Sequence, residues 1–239
     1  MIAIITQARI NSNRLPRKIL CEAGGKPFLQ YHIERLQQTG LPVLVATTND
    51  GSEAPILDFC KQFGLPCFRG DEQNVLQRFY DCAREHRVQT IIRVTSDCPL
   101  IDGNIIAAGI KAYQQLGQDQ VYYSNALVRT YPRGMDYEIF SFKLLEEAWR
   151  NATEDADREH VTPYIWKNRS GTVELVHDVT EEDNSRFRIT LDTPEDKELL
   201  TRLIEDHKAH RLNCQAITDI LKQHPELVEI NKSIEQKKV

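Results

Sequence analysis

The stretch from Gln7 to Lys18, which reads QARINSNRLPRK, combines residue types that bind phosphate groups. It holds four cations (Arg9, Arg14, Arg17 and Lys18), three small polar residues and no acid. Guanidinium groups clamp phosphate oxygens in pairs, and a lysine adds a compact positive charge. The stretch matches neither GxxxxGK[ST] nor GxGxxG. A solvated basic loop has the same cation content, but the position directly after an apolar run favours a polyphosphate site.

Two aspartates follow apolar runs and have the chemistry of magnesium ligands. Asp97 lies in TSDCPLID, and Asp192 ends RFRITLD. Transfers at phosphorus use Mg²⁺ to bridge phosphate oxygens, and the ion takes hard oxygen ligands. Asp97 is equally explained as a turn residue. After Asp192, Thr193 suits a helix N-cap and Pro194 the first helical position, which leaves Asp192 itself outside the helix and unexplained.

The hydrophobic spacing predicts the scaffold that positions these residues. A continuous apolar run predicts a strand at residues 1–6, and short apolar or alternating runs predict strands at residues 43–47, 66–69, 89–95, 121–124, 136–140, 172–177 and 186–191. Helical spacing predicts helices at residues 28–39 (with Pro27 at the first helical position), 53–63, 74–86, 104–116, 142–152, part of 155–168, 194–207 and 215–223. Alternating strands and helices indicate an α/β fold with a mostly parallel sheet. Ligands bind beyond the carboxyl ends of such strands, so the loops after Thr6 and Thr95 are expected to share a crevice.

The alternating pattern changes between about residues 121 and 141, where a segment rich in Tyr, Arg, Pro and Gly joins two predicted strands. We therefore expect a single domain, residues 1–239, with an inserted or appended lobe at about residues 120–180. The charged end QKKV, residues 236–239, is expected to be frayed.

The bulk composition excludes several classes of partner. A net charge of −5 and a pI near 5.8 argue against duplex DNA or an anionic membrane as the main partner. The apolar start is too short for a signal peptide or a membrane span. The six cysteines form no CxxC pair, which disfavours zinc and disulfides and indicates a reducing cytoplasm.

Seven ordered blocks give the sequence a family resemblance that covers about residues 1–205. They are IITQARINSNRLPRKIL, GGKPFLQYHIERL, FRGDEQNVLQRF, RVTSDCPLID, YPRGMDYEIFSF, REHVTPYI and LDTPED. These blocks resemble the CMP-sugar-acid synthetases, which include the CMP-Kdo and CMP-sialate synthetases (Kdo is 3-deoxy-manno-octulosonate), and most of all the spore coat polysaccharide biosynthesis protein F group. The resemblance implies a nucleotide-diphosphosugar-transferase type α/β sandwich, in which helices flank a mostly parallel sheet and a small lobe is inserted.

The same resemblance implies an activity. The protein would be a magnesium-dependent cytidylyltransferase that transfers CMP from CTP to a hydroxyl of a Kdo-like or nonulosonic-acid-like sugar acid and releases pyrophosphate. The pathway would be surface polysaccharide biosynthesis, in the cytoplasm, by a homodimer formed through the lobe. The choice of cytosine over uracil rests on the resemblance alone.

The resemblance also implies roles for individual residues. The triphosphate-binding positions, which we take as the catalytic candidates, are Arg9, Arg14 and Lys18. The metal-binding positions are Asp97 and Asp192. Further nucleotide-binding candidates are Ala8, Ser12, Asp71 and Thr95, although Asp71 is equally explained as a helix cap. Cys98 stands where CMP-Kdo synthetases carry an acid, which argues that the acceptor is not simply Kdo.

The acceptor site is the least defined part of the prediction. A sugar acid carries a carboxylate that an arginine would meet. The candidates are Arg133, Arg158, Arg186 and Arg188. Asp136 and Glu138 alternate along a predicted strand, where they would contact sugar hydroxyls from one face or be solvated acids on an edge strand.

Two other classes of function stay open. A glycosyltransferase of related fold would usually carry an Asp-x-Asp motif after a mid-chain strand, and TSDCP is not that motif. A non-catalytic nucleotide-binding protein would keep the basic loop and lose the carboxylates, yet both aspartates are present.

Overall fold

The computed structural model describes residues 1–235, so the predicted frayed end at residues 236–239 lies outside the described residues. The strands are β1 (Ile2–Gln7), β2 (Glu22–Ala23), β3 (Lys26–Pro27), β4 (Val43–Thr48), β5 (Cys67–Gly70), β6 (Thr90–Thr95), β7 (Val121–Ser124), β8 (Glu138–Ser141) and β9 (Glu174–His177). Seven of them form one sheet in the order β5-β4-β1-β6-β8-β7-β9, and β2 pairs with β3.

The central sheet is mostly parallel, as predicted. Strand β1 runs parallel to β4 and β6, β4 runs parallel to β5, and β7 runs parallel to β9. Strand β8 is antiparallel to both neighbours, β6 and β7. Thr6 pairs with Val94 and Gln7 with Thr95, so the loops that follow β1 and β6 leave the sheet side by side.

Helices cover both faces of this sheet. They are α1 (Phe28–Gln37), α2 (Ala54–Gln62), α3 (Val75–Glu85), α4 (Gly103–Leu116), α5 (Phe142–Asn151), α6 (Asp155–His160), α7 (Pro163–Trp166), α8 (Pro194–Glu205), α9 (Cys214–Gln223) and α10 (Pro225–Glu229). Helices α1, α2 and α4 share one apolar core with β1, whereas α3, α5 and α7 share the core on the other face. Because both faces are buried, the strands read as continuous apolar runs.

A third apolar core closes one end of the molecule. Helices α8 and α9 contribute Leu199, Leu203 and Ile217, which pack with Ile189 and Leu191. The sequence predicted a strand at residues 186–191, and this prediction was wrong. The backbone N–H of Ile189 donates to the carbonyl of Arg133, whereas that of Leu191 donates to the carbonyl of Asp97. Since the segment divides its hydrogen bonds between two partners, it forms only an isolated bridge.

The start of α1 also differs from the prediction. Pro27 was expected at the first helical position, but it is extended (φ −60°, ψ 146°) and pairs with Glu22 in the β2–β3 hairpin. The helix begins at Phe28, which is fully buried. The hairpin fixes Pro27 outside the helix.

Residues 121–177 supply β7, β8, β9 and helices α5 to α7, and their strands extend the central sheet. The assignment of this segment as a lobe for acceptor binding or dimerisation stays a prediction. Within residues 1–235, no helix has the length and apolarity to cross a membrane.

Candidate active site

A cleft of about 1700 Å³ opens where β1 and β6 end. It brings together most of the predicted site residues, namely Arg9, Ser12, Arg14, Lys18, Asp71, Thr95, Asp97, Arg133, Asp136, Glu138, Arg158 and Asp192. Ala8, Arg186 and Arg188 do not line it. Ala8 is buried, and its N–H donates to the carbonyl of Ala46 on the neighbouring strand. Arg186 stacks on the ring of Phe187 and borders a second cavity of about 180 Å³, which Arg133 also lines.

A hydrogen bond and a buried turn hold the C-terminal end of the basic loop, whereas other parts of the loop are exposed. The N–H of Arg17 donates to the carbonyl of Ile10, and Arg17 takes a left-handed conformation (φ 55°) before a 3₁₀ turn at Lys18–Leu20. Ile19 in that turn is buried, which holds Lys18 at the edge of the cleft. Arg9 is exposed and makes no hydrogen bond or ion pair within the described part of the chain. It is therefore available to a bound anion.

Lys18 joins the two predicted metal ligands. Its Nζ lies 3.0 Å from Oδ2 of Asp97 and 2.7 Å from Oδ1 of Asp192. The other oxygen of Asp192 lies 3.3 Å from Arg14 and 3.1 Å from Arg188. Lys18 and Asp192 are only 14% and 12% exposed, so water screens this pair weakly. Three cations and two carboxylates thus meet at one end of the cleft.

The two aspartates, far apart in sequence, are brought together by the backbone. The carbonyl of Asp97 accepts hydrogen bonds from the N–H of Leu191 (2.8 Å) and from Oγ1 of Thr190 (3.1 Å). The predicted start of α8 is confirmed, because Thr193 and Asp196 form a reciprocal capping box. Asp196 has a second role that the sequence did not indicate, since its carboxylate holds Arg188 with two hydrogen bonds of 2.8 Å.

The ion pairs shift the pKa values of these groups. Burial opposes the charge of Asp97, but the Lys18 ammonium and the Thr95 hydroxyl outweigh burial and lower the pKa of Asp97 to about 2. Burial likewise opposes the charge of Lys18, and the two carboxylates outweigh it and raise the pKa of Lys18. Asp97 and Lys18 are therefore both charged at neutral pH.

The donor chemistry of this end fits a magnesium ion. No group of three or more His, Cys, Asp or Glu side chains in residues 1–235 has the arrangement of a complete metal site. Magnesium, however, is commonly held by one or two carboxylates together with substrate phosphates and water. Asp97 and Asp192 supply two hard oxygen donors beside the basic loop. Their role as metal ligands stays a prediction.

The remaining nucleotide-binding candidates have structural partners. Oδ1 of Asp71 accepts from the N–H groups of Gln73 (2.7 Å) and Asn74 (2.8 Å). Asn74 in turn caps α3 by accepting from the N–H of Gln77. The helix-capping explanation of this loop is thus observed, and any contact of Asp71 with nucleotide stays a prediction. Thr95 ends β6 next to Asp97 and lines the cleft.

Glu138 is structural in its contacts. Its carboxylate accepts hydrogen bonds from Arg93, Tyr122 and Thr162, and the residue is 8% exposed. Strand β8 lies inside the sheet, so the interpretation of solvated acids on an edge strand was wrong. The strand also begins at Glu138, two residues later than predicted, and leaves Asp136 in the preceding loop.

The loop before β8 places two arginines, Arg129 and Arg133, in the part of the cleft where acceptor binding is predicted. Arg129 forms an ion pair with Asp136, which also accepts from the N–H of Gly134 (3.1 Å). Gly134 has φ of 106°, and a Cβ there would lie 2.6 Å from the carbonyl oxygen of Ile189. Only glycine therefore lets this loop pack so closely beside the cleft.

Arg133 forms no ion pair in residues 1–235, and the nearby carboxylate of Asp136, which acts on it at longer range, is itself paired with Arg129. The guanidinium of Arg133 lines the cleft and makes no hydrogen bond or ion pair within residues 1–235. Burial lowers the pKa of Arg133, and the positive charge of Arg129 adds to that effect. Arg158, in contrast, is 48% exposed at the rim and lies 3.6 Å from Asp155. The part of the cleft that carries the predicted acceptor-binding residues therefore contains a half-buried cation without an ion-pair partner in residues 1–235.

Sequence reasoning missed two polar residues near the site. Arg93 interrupts the apolar run of β6, lines the cleft and donates to Gln7 (3.1 Å) as well as to Glu138. His32 lies on the buried face of α1 and contacts the loop that carries Asp97. In both cases the available signal was a polar residue at a position where the periodicity calls for an apolar one.

Comparison with known proteins places this cleft in a family. The family model described as Cytidylyltransferase matches residues 3–238. A solved cytidylyltransferase of Leptospira borgpetersenii superposes with a TM-score of 0.90 at 31% identity and covers 98% of this chain and 99% of that chain. The spore coat polysaccharide biosynthesis protein SpsF of Bacillus subtilis is 33% identical over 213 residues, which are 85% of this chain and 86% of SpsF.

A further relative matches a shorter part of the chain. A 3-deoxy-manno-octulosonate cytidylyltransferase of Colwellia psychrerythraea is 32% identical over 112 residues, which are 44% of this chain and 38% of that protein. The fold, the basic loop after β1 and the family match over residues 3–238 all indicate the same family. The chain belongs to the cytidylyltransferase family and is a CTP-dependent nucleotidyltransferase.

Proposed function

We propose that this cytidylyltransferase transfers CMP from CTP to a hydroxyl group of a sugar acid and releases pyrophosphate. The observation that carries this proposal is the half-buried guanidinium of Arg133, which lines the cleft and has no counter-ion within ion-pair distance in residues 1–235. An acceptor carboxylate would supply that counter-ion through charge-assisted hydrogen bonds. A neutral sugar would leave the charge of Arg133 unpaired beside Arg129.

The other end of the cleft suits the triphosphate. Arg9 and Arg14 are exposed on the basic loop and can clamp phosphate oxygens, and Lys18 lies at the end of that loop. The acceptor hydroxyl attacks the α-phosphorus in line and gives up its proton to water, a new P–O bond forms, and the bond from the α-phosphorus to the bridging oxygen breaks as pyrophosphate leaves. Positioning and charge neutralisation by this loop supply the main rate enhancement.

Asp97 and Asp192 would hold the magnesium ion. When bound, that ion neutralises phosphate charge and polarises the reacting phosphoryl group. Asp97 itself is a poor proton acceptor at neutral pH, because its pKa of about 2 is far below the operating pH that suits a general base. We therefore assign Asp97 the role of a charged ligand rather than that of a base.

Membership of the cytidylyltransferase family argues against the two other classes considered, the glycosyltransferase and the non-catalytic nucleotide-binding protein. Two of the relatives named above, by their names, act on 3-deoxy-manno-octulosonate or take part in spore coat polysaccharide biosynthesis. By analogy we place this enzyme in surface polysaccharide biosynthesis, in the cytoplasm, as a homodimer. Light scattering of the purified protein tests the homodimer, and a mass near 27.6 kDa would exclude it.

A pyrophosphate-release assay tests the proposal. The purified protein is incubated with Mg²⁺, each of the four nucleoside triphosphates, and a panel of sugar acids with their neutral, carboxyl-reduced counterparts. We expect release with CTP and one sugar acid, and none with the matching neutral sugar. Equal turnover of the neutral sugar would overturn the sugar-acid assignment, whereas it would leave the family assignment intact.

A further inference from the structure

His32 forms a buried bridge between the two loops of the active site. Its Nε2 lies 2.9 Å from Oγ1 of Thr6, and its Nδ1 lies 2.9 Å from the carbonyl oxygen of Cys98. Thr6 and His32 have no exposed surface, and Cys98 is 2% exposed. Thr6 precedes the basic loop by one residue, and Cys98 directly follows Asp97. The bridge therefore connects the base of the phosphate loop to the residue next to a proposed metal ligand.

The hydrogen-bond partners determine the state of the imidazole ring. A carbonyl oxygen only accepts hydrogen bonds, so Nδ1 of His32 carries a proton and donates it to Cys98. Burial lowers the pKa of His32 to about 4, so the ring is neutral at pH 7 and Nε2 is unprotonated. Nε2 consequently accepts, and the hydroxyl of Thr6 donates. The bridge has one direction, from Thr6 through His32 to Cys98.

A second side chain of α1 holds the same loop. Arg35, one helical turn after His32, donates from Nε to the carbonyl of Ile101. On the opposite side, Leu191 and Thr190 hold the carbonyl of Asp97. The Asp97 loop is thus fixed from two directions, by α1 and by the segment that carries Asp192.

The core alone does not call for a histidine at this position. The neighbouring buried positions of α1 are Leu29, Ile33 and Leu36, and an apolar side chain at position 32 would match them. Burying a polar ring is costly unless both nitrogens are hydrogen-bonded, and here both are. The carbonyl of Cys98 also accepts from the N–H of Ile101 (3.2 Å), so it would keep one partner without His32. The hydrogen bond from His32 is therefore not needed to give the Cys98 carbonyl a partner, and its main effect is to restrict the orientation of that carbonyl.

We propose that His32 is a positioning residue that fixes the Asp97 carboxylate relative to the phosphate loop. This inference rests on the proposed role of Asp97 in binding magnesium and CTP. Partners that orient metal ligands typically contribute about 10- to 100-fold to metal affinity or activity. The expected signature is a change in magnesium dependence and in kcat that exceeds any change in the KM of the acceptor.

The test compares His32→Leu with His32→Asn and Thr6→Val. Asparagine places an N–H donor near the position of Nδ1, so His32→Asn should keep the hydrogen bond to Cys98. Calorimetry measures CTP affinity with and without Mg²⁺, and the pyrophosphate assay measures the Mg²⁺ concentration for half-maximal rate. For His32→Leu we expect the magnesium-dependent gain in CTP affinity to fall about tenfold or more, and for His32→Asn we expect a partial rescue.

Leu36→Ala is the matched control. Leu36 is a fully buried residue of the same helix, and its side chain makes no hydrogen bond to the phosphate loop or to the Asp97 loop. The substitution should lower Tm and leave the magnesium dependence unchanged. If His32→Leu does not fold, His32→Asn and Thr6→Val still test the bridge from either end. If all three variants lower Tm and keep the wild-type magnesium dependence, the positioning role is wrong.

Asp97→Asn separates this inference from the proposed function. If Asp97→Asn keeps the wild-type magnesium dependence, the proposed role of Asp97 fails, whatever His32 does. If Asp97→Asn abolishes that dependence and His32→Leu behaves like Leu36→Ala, the inference about His32 fails and the role of Asp97 stands.

Discussion

The two ends of the cleft differ in how their charges are neutralised. At the phosphate end, Lys18 pairs with both Asp97 and Asp192, and Arg14 and Arg188 add to the same network. At the end where the acceptor is proposed to bind, Arg133 forms no ion pair within the described residues, because the nearby Asp136 pairs with Arg129. Paired charges hold a geometry before the substrate arrives, whereas an unpaired half-buried charge selects the substrate that neutralises it. Under the proposed function, the first end serves catalysis and the second end acceptor specificity.

Among the substitutions that test this difference between the two ends, Lys18→Met should have the largest effect, a loss of turnover. The substitution keeps the length of the side chain and removes the charge that lies between Asp97 and Asp192. Loss of one preorganised charge at a reacting centre costs about 100- to 1000-fold in turnover. The pyrophosphate-release assay at saturating CTP measures this loss as a decrease in kcat.

Lys26→Met is the control for that experiment. Lys26 pairs with Glu34 at a site that is about 40% exposed and does not line the cleft. Its removal should leave kcat within about twofold, because exposed ion pairs contribute little. A near-normal kcat for Lys18→Met would show that the network of paired charges around Lys18 has no catalytic role.

Glu138→Gln should have the next largest effect, and the effect should be on stability. The substitution removes the charge that pairs with Arg93, in a position that is 11% exposed. Leaving one partner of a buried ion pair without its counter-charge costs about 3 kcal/mol of unfolding free energy. Urea unfolding measures the loss, with Glu34→Gln as the exposed control. If Glu138→Gln instead keeps its stability and raises the KM of the acceptor, Glu138 is a substrate ligand.

The outcome for Glu138 shows where sequence reasoning stops. Apolar runs correctly predicted β1 and β6, because a strand that is buried on both faces has mainly apolar residues at successive positions. The partners of Glu138 come from β6, from β7 and from the turn before α7, and no local pattern records that convergence. Alternation of polar and apolar residues from 186 to 191 indicated a strand, but its hydrogen bonds go to two different segments. Local periodicity therefore predicts elements, whereas the pairing of charges depends on contacts distant in sequence.

A pH titration of the unfolding free energy tests the charge state of His32, which lies below the phosphate end of the cleft. Burial lowers the pKa of His32 from 6.5 to about 4, and the carbonyl of Cys98 and the charge of Asp97 only partly oppose that shift. The unfolded chain binds the proton first as pH falls below 6.5, so stability is fully present above that pH and is lost as pH approaches 4. Between pH 7.5 and pH 5 this single group should cost about 2 kcal/mol of unfolding free energy.

Urea unfolding at the two pH values measures this slope, and His32→Gln isolates the contribution of the imidazole. The difference in unfolding free energy between wild type and variant should change by about 2 kcal/mol across the range. Parallel pH dependence in the two proteins would show that His32 does not titrate in this window. The acceptor end has no buried neutral histidine in this role, since His160 at the rim is part-exposed.

Arg133→Met should give the smallest effect and the most selective one. It removes the unpaired guanidinium without breaking an ion pair, so stability should change little and the KM of CTP should be unaltered. The KM of the sugar acid should rise about tenfold, the equivalent of about 1.4 kcal/mol for one charged hydrogen bond. Arg186 borders the second cavity and does not line the cleft, so Arg186→Met should leave both KM values unchanged. An equal rise in the KM of CTP would mean that Arg133 binds the nucleotide, and the division of the cleft into two ends would then be wrong at this residue.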